Sequence, residues 1–192
     1  LASGSDGQNI VVDSSTSTGL AYVTGARVLI SEQTPTSTNT VTFSDIPNKF
    51  KTLEIEYVAR STANATSDVL YCYLNNDTTN ANYRYTLDFG YNTTEDAAGS
   101  DLPSLGSTIS GNTAPSGSCG TGTLKIIQYA GTTFNKQVLF MVAHRRDASS
   151  VHEYVGNGGI EWENTSAVSR IDLVLVTGNY NTGSTFRLYG VY

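Results

Sequence analysis

The chain has 192 residues, with 11 basic against 17 acidic side chains, a formal charge of −6 and a pI near 4.7. That balance excludes a binder that tracks nucleic-acid phosphates, which needs a clustered basic surface. Only 15% of the residues are charged, against about 25% in an average soluble domain; Tyr, Gly, Ser, Thr and Asn fill the gap, a composition unusual for a cytosolic enzyme. No apolar run approaches the roughly 18–20 residues of a membrane span, so no membrane insertion is expected. The length suits one sizeable core with an appendage.

Residues 1–26 are rich in Gly, Ser, Thr and Asp around two short apolar runs, Ile10–Val12 and Leu20–Val23. Such a segment buries too little by itself and reads as a short N-terminal connector, or as a segment that gains its core from neighbouring chains. The chain opens on Leu1 without Met or a signal segment and reads as part of something longer. Residues 27–192 form the domain. Arg27–Ile30 and Thr40–Phe43 are short strands. Lys51–Arg60 places Leu53, Ile55, Tyr57 and Ala59 on one face and Glu54, Glu56, Val58 and Arg60 on the other, the period of a half-buried strand. Val69–Leu74 and Tyr83–Tyr91 flank the polar turn Asn75–Asn82 and predict a β-hairpin, with Tyr83, Tyr85, Leu87 and Phe89 on its buried face.

Asn92–Gly122 then breaks the rhythm. It holds Pro103, Pro115, many Gly and Ser, and the acids Glu95, Asp96 and Asp101, and reads as a long loop, functional or mobile. Leu124–Tyr129, Gln137–His144, Gly159–Glu163, Arg170–Thr177 and Thr185–Tyr192 complete the strands. Val138–Ala143 and Ile171–Val176 are almost continuously apolar, which predicts central strands covered on both faces. No segment sustains a helical period, so the fold class is all-β, an antiparallel sandwich or barrel.

The chemistry is sparse. Cys72 and Cys119 lie outside any zinc spacing, and nothing in the sequence fixes the geometry of a disulfide. His144-Arg-Arg-Asp147 with His152-Glu-Tyr154 is the densest titratable cluster. It reads as an anion or sugar contact, as an acid/base pair or, more simply, as a charged loop with His144 at its rim. Glu54/Glu56 and Glu161/Glu163 have the i,i+2 spacing of paired carboxylates, which glycoside hydrolysis uses, but strand alternation produces solvent-side acids in the same pattern. Asp77 among Asn75, Asn76 and Asn80 offers oxygen ligands to calcium; one carboxylate favours a self-satisfied turn. Trp162 reads as packing on its own sheet, ahead of stacking on a sugar. No catalytic residue, metal or cofactor is assigned.

Five pieces occur in order: Phe43-Ser-Asp-Ile-Pro-Asn-Lys-Phe-Lys-Thr-Leu-Glu-Ile55; Leu74-Asn-Asn-Asp with Asn82-Tyr83; Trp162-Glu-Asn-Thr165; Val168-Ser-Arg-Ile171; and Gly183-Ser-Thr-Phe-Arg-Leu-Tyr-Gly190. Together they resemble the C-terminal β-domain of tailed-bacteriophage fibre and virion-surface proteins, and Gly4–Gln8 with Asp13–Leu20 looks like the connector preceding it. Asn76 stands where that pattern commonly has Gly. The resemblance implies a jelly-roll-like antiparallel β-sandwich, a homotrimer among other virion proteins at the virion surface, and neither enzymatic activity nor a cofactor. The function expected is a virion structural protein, a tail-fibre or spike tip attaching to a host-surface glycan or protein. A capsid-decorating or head-fibre protein and the carbohydrate-binding module of a glycan-degrading enzyme are the alternatives. The expected receptor contacts lie on loops: Tyr91 at the base of Asn92–Gly122, and Arg145, Arg146, His152 and Tyr154.

Overall fold

The computed structural model describes residues 8–12, 17–24, 27–91, 94–147 and 153–192. Among them the strands follow in order: β1 (Gln8–Val12), β2 (Leu20–Thr24), β3 (Arg27–Gln33), β4 (Thr40–Phe43), β5 (Thr52–Ala59), β6 (Ser67–Asp68), β7 (Leu70–Leu74), β8 (Tyr83–Tyr91), β9 (Thr94–Ser100), β10 (Ile109–Ser110), β11 (Gly120–Ile127), β12 (Lys136–Arg145), β13 (Glu153–Trp162), β14 (Ile171–Leu175) and β15 (Thr185–Val191). A 3-10 turn at Asn80–Asn82 leads into β8. All strand pairings in the two main sheets are antiparallel.

One sheet has eight strands in the order β3-β15-β5-β11-β12-β13-β8-β9; the facing layer has β4-β14-β7, with the short β10-β6 pair beside it. The result is an all-β sandwich. Among the described residues β1 and β2 pair with each other and with no other strand.

Alternation builds the core. Leu53, Ile55, Tyr57 and Ala59 of β5, Leu124 and Ile126 of β11, Val138, Phe140 and Val142 of β12, and Phe186 and Leu188 of β15 point inward. They meet Val41, Phe43, Leu70, Cys72, Leu74, Ile171 and Leu173 of the facing layer in one contiguous cluster. At about 25 cal/mol per Å² of apolar area, this burial dominates the stability. Neither cysteine is paired, and burial pushes the Cys72 thiol up to about 12, with the Asp172 charge adding to the shift.

Three sequence expectations change. β7 and β8 do not form a hairpin: β7 pairs with β14 and β8 with β13, so the Asn75–Asn82 turn carries the chain between layers. The cause is local. Asn75 accepts the Ser169 and Arg170 N–H groups at 2.8 and 3.1 Å and donates to Ala167 at 2.8 Å, which fixes the turn to the segment entering β14. Asn75 and Asn76 both take positive φ, 51° and 60°, so Asn76 fills the place of the expected Gly.

The expected loop Asn92–Gly122 is largely built into the sandwich. Residues 94–100 are the edge strand β9, and the Leu105 N–H donates to the Leu70 carbonyl of β7 while the Leu70 N–H donates to the Gly106 carbonyl. Residues 112–118 are held by the Arg60 guanidinium, which donates to the carbonyls of Pro115, Ser118 and Ala114 at 2.8, 2.6 and 2.8 Å. The facing segment comes so close to the large sheet that a Cβ on Gly120 would lie 2.2 Å from the Thr108 carbonyl oxygen. Finally, β12 is covered on one face only: Leu139 and Met141 open to the outside.

Candidate functional site

The residues expected to contact a receptor converge on one end of the large sheet, where β8 ends and β12 gives way to β13. There the Arg146 guanidinium lies 4.5 Å from the centre of the Tyr91 ring, and the Tyr91 hydroxyl reaches Asp147 at 3.4 Å. Arg145 is exposed, and its Nε donates to the Asp147 carbonyl at 3.1 Å. His152 lies outside the described residues. Tyr154 is a correction: it begins the inward row of β13 and is buried, stacked on Phe89 with ring centres 5.2 Å apart. A side chain so placed cannot touch a receptor.

His144 is a second correction. It belongs to the inward row of β12 and is 1% exposed, not at a rim. Its ring centre sits 5.0 Å from that of Tyr154. Burial, reinforced by the Arg146 charge, lowers its pKa to about 4. Tyr57 Oη faces Thr108, and His144 faces the Ser107 backbone, at geometry short of a hydrogen bond. Both ring nitrogens, the hydroxyls of Tyr57 and Thr108, and Arg146 Nε are thus buried polar atoms without a protein partner. Burial raises the Tyr57 phenol strongly and the Tyr154 phenol to about 12.

The other candidates resolve structurally. Trp162 Nε1 donates to Asp77 Oδ2 at 2.8 Å, and so does Asn82 Nδ2 at 2.8 Å; the Thr79 N–H donates to Asp77 Oδ1 at 3.0 Å. Tyr83 donates its hydroxyl to the Asp77 carbonyl at 2.9 Å and stacks on Trp162 with centres 6.5 Å apart. The turn is self-satisfied, and its acid is engaged in holding the indole. Burial alone would raise the Asp77 carboxyl; the hydrogen bonds from Trp162, Asn82 and Thr79 outweigh it and hold it below its ordinary value. Glu54 and Glu56 pair with Arg27 at 3.0 and 2.8 Å, Glu163 with Arg84 at 3.4 Å, and Glu161 accepts from Asn135 at 2.9 Å. Among the described residues no group of three or more His, Cys, Asp or Glu side chains is placed to share a metal ion.

Sequence reasoning missed an open groove of about 790 Å³ on the outer face of the large sheet. Met141, Val155 and Asn157 form its floor, and the edge strand β9 contributes Glu95, Asp96 and Ala97. Asp88 and Gly90 of β8 lie between. A Cβ on Gly90 would meet nothing within 4 Å, so the missing side chain leaves the groove open. Its signal lies in the apolar outward positions of β12, Leu139 and Met141, a pattern that a strand covered on both faces shares. No protein-family model, curated protein or solved structure matches this chain at a significant level.

Proposed function

We propose that this chain is a non-enzymatic bacteriophage virion-surface module, the tip of a tail fibre or spike, which attaches as a homotrimer to a host-surface glycan or protein. The observation that carries the reading is the Arg146 guanidinium laid on Tyr91, beside the exposed Arg145, at one end of a rigid sheet. On a net-acidic protein this is a local cationic and aromatic platform. Guanidinium forks and aromatic faces recognise carboxylates, hydroxyl arrays and sugar rings. The neutral Tyr/Asn/Ser/Thr surface and the five ordered motifs that resemble fibre domains support the same reading.

Replacing Arg145 and Arg146 together by Ala should lower binding of the isolated chain to host cells at least tenfold while the melting temperature holds. Unchanged binding removes the platform. Labelled antibody on intact particles should mark the tail; marking of the head turns the reading to capsid decoration. Release of reducing ends from host polysaccharide, abolished by Glu161→Gln or Glu163→Gln, would overturn the non-enzymatic assignment.

A further inference from the structure

Among the described residues, the two most exposed large apolar side chains are Phe134, at 73%, and Met141, at 62%. They sit on two surfaces of opposite character. Phe134 stands on the turn entering β12, near the exposed Ile127, and the Gln128 N–H bonds to the Lys51 carbonyl at 2.8 Å, which brings the Lys49–Lys51 turn alongside. Lys49 and Lys51 are exposed and form no ion pair among the described residues. Met141 lies in the groove with Asp88, Glu95 and Asp96, acids that likewise form no ion pair there. Elsewhere on the same face the charges neutralise one another, as in Arg27 with Glu54 and Glu56, Lys125 with Glu54, and Arg187 with Glu32.

We propose that the groove seats the Phe134 turn of a second copy of this chain, with that copy's Lys49 and Lys51 against Asp88, Glu95 and Asp96. A thioether against an aromatic ring is a favourable contact, and opposite charges around an apolar centre set the register. The contact cannot be made within one chain. Phe134 stands on the turn before β12, and the five steps of extended strand from Lys136 to Met141 carry the chain about 17 Å further. Knob and groove therefore lie at different places along one strand, and the contact is head-to-tail: each copy offers a knob to one neighbour and a groove to the other. Such heterologous contacts close into a ring or run on as a filament; the proposed trimer is the closed case. The inference rests on the homotrimer part of the functional reading and is independent of what the assembly attaches to.

Light scattering on the whole chain at micromolar concentration tests it with two variants, Phe134→Glu in the knob and Gly90→Trp in the groove, where the side chain enters open space. Each alone should weaken self-association by tenfold or more and leave monomers with unchanged melting temperature. Mixed in equal amounts they should form a dimer that grows no further, since one chain keeps a working groove and the other a working knob. A chain carrying Lys49→Glu and Lys51→Glu together with Asp88→Lys and Glu95→Lys should assemble again, whereas either half of that set should not. A wild-type monomer overturns both the contact and the homotrimer. A trimer indifferent to both variants, or dissociated variants whose mixture stays monomeric, overturns this contact and leaves the homotrimer standing.

Discussion

Two polar clusters sit toward opposite ends of the β12–β13 ladder, which pairs Lys136 with Trp162 at one end and His144 with Tyr154 one step from the other. At the Trp162 end, Asp77 receives the indole, Asn82 and Thr79, and Tyr83 closes the turn. At the His144 end, the imidazole nitrogens, the Tyr57 and Thr108 hydroxyls and Arg146 Nε are buried without protein partners. The same strands thus carry one cluster whose donors meet acceptors and one whose polar atoms find no protein partner at full hydrogen-bonding geometry. A satisfied polar cluster specifies a fold, whereas an unsatisfied one costs about 1–3 kcal/mol per group. The unsatisfied end adjoins the Tyr91–Arg146 platform, and strain of this kind gathers beside functional surfaces.

The largest effect should come from Asp77→Ala. It leaves the buried indole N–H without an acceptor and frees Asn82 and Thr79, and we expect a loss of about 3 kcal/mol. Trp162 is the only tryptophan, so its fluorescence reports the change directly: urea unfolding followed at the indole should shift to lower denaturant, with red-shifted emission before unfolding. Asp77→Asn keeps an acceptor oxygen and should cost less than half as much. Equal losses in the two variants would show that the hydrogen bonds to Asp77 contribute little.

The contrast between the two ends was only partly legible in the sequence. Asp77 as a self-satisfied turn and Trp162 as a packing residue were each readable from local pattern. Their bond was not, because it joins residues 85 positions apart and depends on which strands pair. Gly156, Gly158 and Gly159 interrupt the apolar pattern of β13 and make Tyr154 read as a loop residue. Yet 154, 156, 158, 160 and 162 keep one phase, and extending Trp162 backward by twos reaches it. The burial of residues 103–110 was hidden by Gly and Ser content; Leu105 and Ile109 were the available signal. Periodicity names a strand's faces, but whether anything covers the second face, as at Leu139 and Met141, is decided by the other layer.

The second effect separates the ends by pH. The folded His144 pKa of about 4 lies below the ordinary 6.5 because burial penalises the charged ring. Between these values the unfolded chain binds the proton and the folded chain does not. The His144 contribution is therefore fully present above pH 6.5 and is lost as pH falls toward 4. The span corresponds to about 3 kcal/mol at most. His144→Phe, a neutral ring against Tyr154, should flatten the stability profile across that window, with His144→Gln as a second variant. The Asp77 lock acts lower, since its carboxyl is held below 3.8 and its contribution goes only as pH falls beneath that. A wild-type profile that is flat from pH 6.5 to 4 would show that His144 is not shielded as its burial demands.

The smallest effect is the most discriminating, because its sign differs between the ends. Thr108→Val replaces an unpartnered buried hydroxyl by a methyl of the same shape, and Tyr57→Phe removes the facing one. The two hydroxyls face each other and neither meets a third protein group, so removing both relieves their desolvation without opening a cavity. Each change should be neutral or stabilising by up to about 1 kcal/mol, and the double variant should approach the sum unless the two hydroxyls support each other. Tyr83→Phe is the matched control at the other end: the same atom is deleted from a hydroxyl that donates to Asp77 and accepts from Leu74 at 3.0 Å. It should cost about 1–2 kcal/mol. Melting curves of the four variants read the comparison in one series. If Thr108→Val and Tyr83→Phe move the midpoint in the same direction by similar amounts, the two ends are equally satisfied, and the orphaned atoms around His144 have a partner after all.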